Sequence, residues 1–422
     1  MGSQARKHNM EHTGHLPRPD WVRRINLFGT AVGDPARMVS LDADEMLAVA
    51  AESVGLSDFG DEPGWEAGYR ALCDAMNEEA QLNVVGRLSV RGEIIRNLQN
   101  RLRMVDYWRA NPDALAAEVT APVFVSGPPR TGTTILLELL ALDPNLRGVR
   151  GFEAHFPLGT LPGTGADALA CSEPEQEFWA DIQPEFMTMH ELRSDLPVEC
   201  IHFCQPEFRS WHWPMMHSIG DLASRGADLD FGAVYRWHKN FLRTLQHIDG
   251  APAQFLLKSP AHMGTLPDLF AAYPDARVIL THRDPIRFLG SVANLTTTLH
   301  WMRSDSVTPS ENGPVMLFIY QMMMDMVMGQ RASGEVPDNQ IADLLFRDLV
   351  SDPVPAVRAV YDHLGLEFSD ELATAIPAYL ADKPKDKFGK HVYDPASLGL
   401  DESVVRDQFT DYIAHHNIPL ED

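Results

Sequence analysis

Gly127-Pro-Pro-Arg130-Thr-Gly132-Thr-Thr134 is a stretch whose residue types could hold an anion. A short apolar run, residues 121–126, precedes it, and a second, residues 135–142, follows. Strand, glycine-bearing turn and helix start would gather backbone N–H groups around one point, where the helix dipole favours negative charge. The two glycines have the spacing of a nucleoside-triphosphate loop, but Thr133 stands where that loop carries its lysine. The lysine is what grips the β- and γ-phosphates, so its absence argues against ATP or GTP hydrolysis. The cation lies inside the loop instead, at Arg130. Pro129, Arg130, Thr131, Gly132, Thr133 and Thr134 are therefore the expected ligand-binding residues, the threonines supplying hydroxyl and N–H groups.

Three other groupings could carry chemistry. Cys200, His202 and Cys204 could share a helix face, but no second ligand pair has suitable spacing, and small buried thiols with no metal are expected. Met316, Met322, Met323, Met324, Met326 and Met328 crowd one segment, and Trp211, Trp213, Met215 and Met216 another. Methionines adapt to irregular apolar shapes, so these are either ordinary core or an apolar pocket for a lipid, steroid-like or polyketide alcohol. Four of the seven lysines fall within residues 383–390, either a solvated loop or a local anion clamp.

Residues 42–111 are helical in pattern and carry many arginines, among them Arg87, Arg91, Arg96, Arg101 and Arg103. Residues 121–126, 255–257 and 277–281 read as buried strands, with 340–347 a further candidate. Helical patterns at 135–142, 262–273, 285–295, 315–330, 353–364 and 402–415 alternate with or follow them. This alternation predicts an α/β fold: a P-loop-type parallel sheet flanked by helices, with an all-helical N-terminal extension. The expected division is disorder over 1–20, a helical region over 21–118 and the α/β domain over 119–422. The chain has 422 residues, a formal net charge of −24 and four cysteines. So acidic a chain is a poor nucleic-acid partner, and so few cysteines fit a reduced compartment. The sequence shows no secretory leader and no membrane-spanning run, so a cytoplasmic location is expected.

The loop resembles the 5′-phosphosulfate loop of sulfotransferases that use 3′-phosphoadenosine 5′-phosphosulfate (PAPS), in particular the bacterial branch and the tyrosylprotein sulfotransferases, whose loop carries Pro-Arg-[ST]-Gly-Thr-Thr. Four further segments follow in the family's order. Val278-Ile-Leu-Thr-His-Arg283, with Ser291 eight residues on, resembles the 3′-phosphate element; Ser291 would lie two turns along the helix after the strand and reach the same phosphate as Arg283. Leu257-Lys258-Ser259-Pro260 resembles the segment holding the family's catalytic lysine. Leu345-Phe346-Arg347-Asp348-Leu349 resembles a Tyr-Glu-Asp-Leu segment, with Phe346 in place of the tyrosine. Lys387-Phe-Gly-Lys390 resembles the cationic loop that closes over the nucleotide.

The resemblance covers about residues 120–415. It implies PAPS as co-substrate, no metal, and transfer of a sulfonate group to a hydroxyl of an apolar small molecule or lipid. Arg130 would neutralise the 5′-phosphate and sulfonate oxygens, and Lys258 would stabilise the leaving oxygen. Arg283, Ser291, Lys387 and Lys390 would bind the nucleotide. For the general base, Glu153 falls where tyrosylprotein sulfotransferases place a glutamate, while His190, His262 and Glu199 are rivals. A homodimer and peripheral membrane contact are compatible with this reading. The competing readings are a nucleotide or small-molecule kinase of the P-loop class, and a nucleotide-binding module without chemistry.

Overall fold

The computed structural model describes residues 17–159, 167–191, 193–220, 222–225, 229–383 and 393–421. Five strands form one sheet: β1 (Val123–Ser126), β2 (Leu146–Gly148), β3 (Gln254–Lys258), β4 (Arg277–His282) and β5 (Ile341–Leu345). Their order is β2-β3-β1-β4-β5 and every pairing is parallel. β1, β3 and β4 are buried along almost their whole length because helices cover both faces, which is why they read as unbroken apolar runs. β2 and β3 lie to one side of β1 and β4 and β5 to the other, so the order reverses there. In such sheets the crevice at the carboxyl ends of the strands is where ligands bind. Those ends deliver the loop after Ser126, Lys258, Arg283 and Phe346 to one edge.

The expected helices are present, with shifted bounds. The methionine-rich helix runs Pro309–Ser333, and the helix after β4 runs Pro285–Arg303. The segment expected as one helix over 262–273 is a 3₁₀ turn, Pro260–Thr265, then a helix, Leu266–Ala272. The segment expected over 402–415 is two helices, Glu402–Gln408 and Thr410–His415, broken at Phe409. Leu146–Gly148, not among the expected strands, is an edge strand; three residues are too few to show a period.

The expectation of disorder through residue 20 is corrected. The first helix starts at Asp20, and Arg18 stacks on Trp301, 3.8 Å from the ring centre, while pairing with Asp305. Residues 1–16 lie outside the described residues.

The arginines of the helix Val84–Ala110 do not form a solvated face. Arg87 donates to the Val39 carbonyl at 2.7 Å, and Arg303 reaches across to Glu93 at 3.2 Å. Arg101 is fully buried with Glu207 at 3.1 Å, and Glu207 also meets Arg209. Each buried charge has a partner, as burial at this depth requires. Gly86 lets this helix touch the end of the helix Pro285–Arg303 backbone to backbone: a Cβ there would lie 2.0 Å from the Arg303 carbonyl oxygen.

Candidate active site

The loop after β1 is held in shape by β4. Gly127 has φ +127°, and a Cβ there would lie 2.4 Å from Thr281 Oγ1, so only glycine fits. Thr131, fully buried, places its hydroxyl 2.5 Å from Thr281 Oγ1 and 2.6 Å from the Pro128 carbonyl. It is a strut rather than an open donor. Arg130 is forced to φ +71°, a left-handed conformation costing a side-chain-bearing residue roughly 1–2 kcal/mol. Its guanidinium donates to the Met189 carbonyl at 3.2 Å, and burial lowers its pKa. Gly132 (φ +92°) sits under the Phe346 ring, and Thr133 opens the helix Thr133–Leu140, whose first N–H groups have no intrahelical acceptor.

Lys258 ends β3 with its side chain 3% exposed. Its ammonium pairs with Glu199 and lies 3.3 Å from Thr134 Oγ1. Burial pushes the Glu199 carboxyl up, but Lys258 and His190 outweigh it and hold it below the ordinary carboxylate value. Burial and Lys258 both lower His190, whose Nδ1 is 3.0 Å from the Glu191 carbonyl. Glu199 and His190 form the polar end of a cavity of about 170 Å³ whose walls are apolar, with Trp179, Phe186, Trp211, Met316, Ile319 and Met323 among them. The methionine and tryptophan groupings thus divide: Met316, Met323, Trp211, Met215 and Met216 line the cavity, while Trp213 belongs to the core of the N-terminal helices.

Two proposed acid–base residues are placed elsewhere. Glu153 accepts the Arg150 N–H at 2.7 Å and pairs with Arg147 at 2.7 Å, capping its own short helix, Gly151–His155. Both oxygens are committed, and it does not line the cavity. His262 is buried behind β3, with Nδ1 2.7 Å from the Tyr235 hydroxyl, and burial lowers it to about 3. It opens on a different, smaller cavity beside Cys200 and His238. Those three residues bring donor atoms within 4.8 Å of one another, as do His282, Asp343 and His416, although Arg331 already grips Asp343 at 2.7 and 2.9 Å. Burial pushes the Cys200 thiol well up, disfavouring the thiolate a metal would take.

Arg283 and Ser291 come to the same face as the loop. Arg283 donates to the Arg130 carbonyl at 3.0 Å and lies 4.1 Å from the centre of the Phe346 ring. The aromatic face, not a hydroxyl, is therefore what position 346 supplies. Ser291 is buried and bonded to the Tyr393 phenol, which also donates to the Arg287 carbonyl at 2.9 Å. Lys383 pairs with Glu138; Lys387 and Lys390 lie outside the described residues. Sequence reasoning passed over Tyr393, for which no motif gave a signal.

Residues 122–370 match the model of the sulfotransferase family, more than half of the chain. The chain belongs to this family. Two structures of sulfotransferases are similar over nearly their whole length. Sulfotransferase STF9 from Mycobacterium avium superposes with a TM-score of 0.75 at 25% identity, covering 90% of this chain and 97% of that one. STF1 from Mycobacterium tuberculosis H37Rv also gives 0.75 at 25% identity, with 88% and 98% covered. Omega-hydroxy-beta-dihydromenaquinone-9 sulfotransferase Stf3 of Mycobacterium bovis is 23% identical over 277 residues, covering 62% of this sulfotransferase and 67% of its own length. Membership sets the kinase reading aside and makes the chain an enzyme that takes a sulfonate donor. No helix among the described residues is long and apolar enough to cross a membrane.

Proposed function

We propose that this sulfotransferase moves a sulfonate group from PAPS to the hydroxyl of an apolar, lipid-like alcohol, with Glu199 rather than Glu153 as general base. The carrying observation is the position of Lys258, between Thr134 of the anion loop and Glu199 at the polar end of an apolar cavity. The acceptor oxygen attacks sulfur as the bond from sulfur to the 5′-phosphate oxygen breaks. Glu199 takes the hydroxyl proton, and the electron pair leaves with the nucleotide. Lys258, Arg130 and the first-turn N–H groups of Thr133–Leu140 neutralise the charge that develops there. The products are a sulfate ester and adenosine 3′,5′-bisphosphate. Arg283 and Ser291 take the 3′-phosphate. Stf3, named for an omega-hydroxylated menaquinone derivative, supports an apolar acceptor.

Calorimetry tests the donor assignment. Arg283→Ala should weaken adenosine 3′,5′-bisphosphate by about 2–3 kcal/mol, the worth of a charge-assisted contact. Adenosine 5′-phosphate, lacking the 3′-phosphate, should be nearly unaffected; equal losses for both would sink the assignment.

The acceptor assignment has its own test. Met316→Trp narrows the cavity without touching the loop. It should lower kcat/KM for a long-chain alcohol by about ten-fold, the scale on which apolar pockets discriminate size. Bisphosphate affinity should stay constant. Unchanged kinetics with long alcohols would place the acceptor elsewhere.

A further inference from the structure

Arg283 is already occupied. Its Nε and Nη2 donate to Oε1 and Oε2 of Glu421, both at 2.7 Å. This is a two-pronged grip of the kind a guanidinium gives to a carboxylate or to two oxygens of a phosphate. Glu421 is not there by chance of a loose chain. Its N–H donates to Asp284 Oδ2 at 2.8 Å, and its carbonyl accepts from Arg406 at 3.1 Å. Arg406 also pairs with Asp284 at 3.0 Å, and Asp284 is fully buried. On the other side of Arg283, His282 meets the Tyr412 hydroxyl at 3.1 Å and stacks on His416 at 3.9 Å. Three consecutive residues leaving β4 thus hold the segment 406–421, and the middle one holds a carboxylate.

We infer that Glu421 is a nucleotide-specificity residue: its carboxylate occupies the place of the 3′-phosphate and is exchanged for it when the nucleotide binds. This rests on the assignment of Arg283 to the 3′-phosphate. The exchange is feasible because the pair is partly open to water, with side chains 22% and 33% exposed, so it holds only weakly. A phosphate dianion offers Arg283 more charge in the same two-oxygen geometry. A nucleotide without the 3′-phosphate offers no replacement and leaves the pair closed. Between nucleotides, Arg283 keeps a counter-ion and stays aligned over Phe346. The cost is a reduced apparent affinity, because binding must first open the pair.

Glu421→Gln keeps the shape and removes the charge. The expected result is a bisphosphate affinity about five-fold tighter than wild type, the upper range for a partly exposed pair. The affinity for adenosine 5′-phosphate should not change. Glu421→Asp, one methylene shorter, should fall between. In the wild type, hydrogen exchange in residues 410–421 should speed up on adding the bisphosphate and not on adding the 5′-phosphate. Unchanged or weaker bisphosphate binding by Glu421→Gln would overturn the exchange and make Glu421 a support for Arg283. Equal tightening of both nucleotides would also overturn it, as an effect of overall charge. Arg283→Ala separates the two levels. If it leaves the preference for the 3′-phosphate intact, the site assignment itself fails. If it abolishes the preference while Glu421→Gln changes nothing, only the role of Glu421 fails.

Discussion

Glu199→Gln should lower turnover of a neutral alcohol by about 10²–10⁴-fold, the worth of a positioned general base. The amide keeps the size and the contact with Lys258, so adenosine 3′,5′-bisphosphate should still bind. A nitrophenol, which gives up its proton easily, should recover part of the loss. Lys258→Ala should not be rescued in that way, because the departing nucleotide is the same for both acceptors. The acid limb of the wild-type profile follows from the same geometry. Lys258 and His190 hold Glu199 below the ordinary carboxylate value despite burial. The base is active when deprotonated, so kcat/KM should fall only as pH drops through that depressed value. It should not fall near pH 6–7, where an unperturbed histidine would titrate. Turnover within a few-fold of wild type in Glu199→Gln would remove it as the base, and His190 would be the next residue to test.

Gly86→Ala should destabilise the protein by about 3 kcal/mol, at the upper end for overpacking because the obstacle is backbone. The added methyl meets the Arg303 carbonyl oxygen at 2.0 Å and its carbonyl carbon at 2.7 Å. Gly92, in the same helix, has no atom within 4 Å of its would-be Cβ. Gly92→Ala should therefore be neutral or stabilising by up to about 1 kcal/mol, through helix propensity alone. Urea midpoints of the two variants make the comparison. Similar shifts would mean that the two helices do not cross this closely.

The sequence carried the sheet because its inner strands are buried on both faces, so each is an apolar run between turn residues. It carried the loop because Gly127 and Gly132 stand at positive φ where other residues would clash. What it could not carry was pairing across the chain. Glu153 and Glu199 are both acids near aromatic and basic residues. Only folding shows that Arg147 and the Arg150 N–H consume the first, while Lys258 holds the second at the cavity. The partners of the arginines of Val84–Ala110 were not legible, since their acceptors, Glu207 and the Val39 carbonyl among them, lie far away in sequence. Arg18 likewise found an aromatic ring and an acid nearly three hundred residues on. The short edge strand β2 and the break at Phe409 left no period long enough to read.

The Lys258–Glu199 contact has a consequence for timing. While the two side chains face each other, neither the proton acceptor nor the leaving-group cation is free. On the proposed mechanism an incoming nucleotide draws the ammonium toward its bridging oxygen, and only then is the carboxylate released toward the cavity. The acid and base of the reaction are thus switched on by one event. Without that event, water in the cavity meets a neutralised pair rather than an activated base.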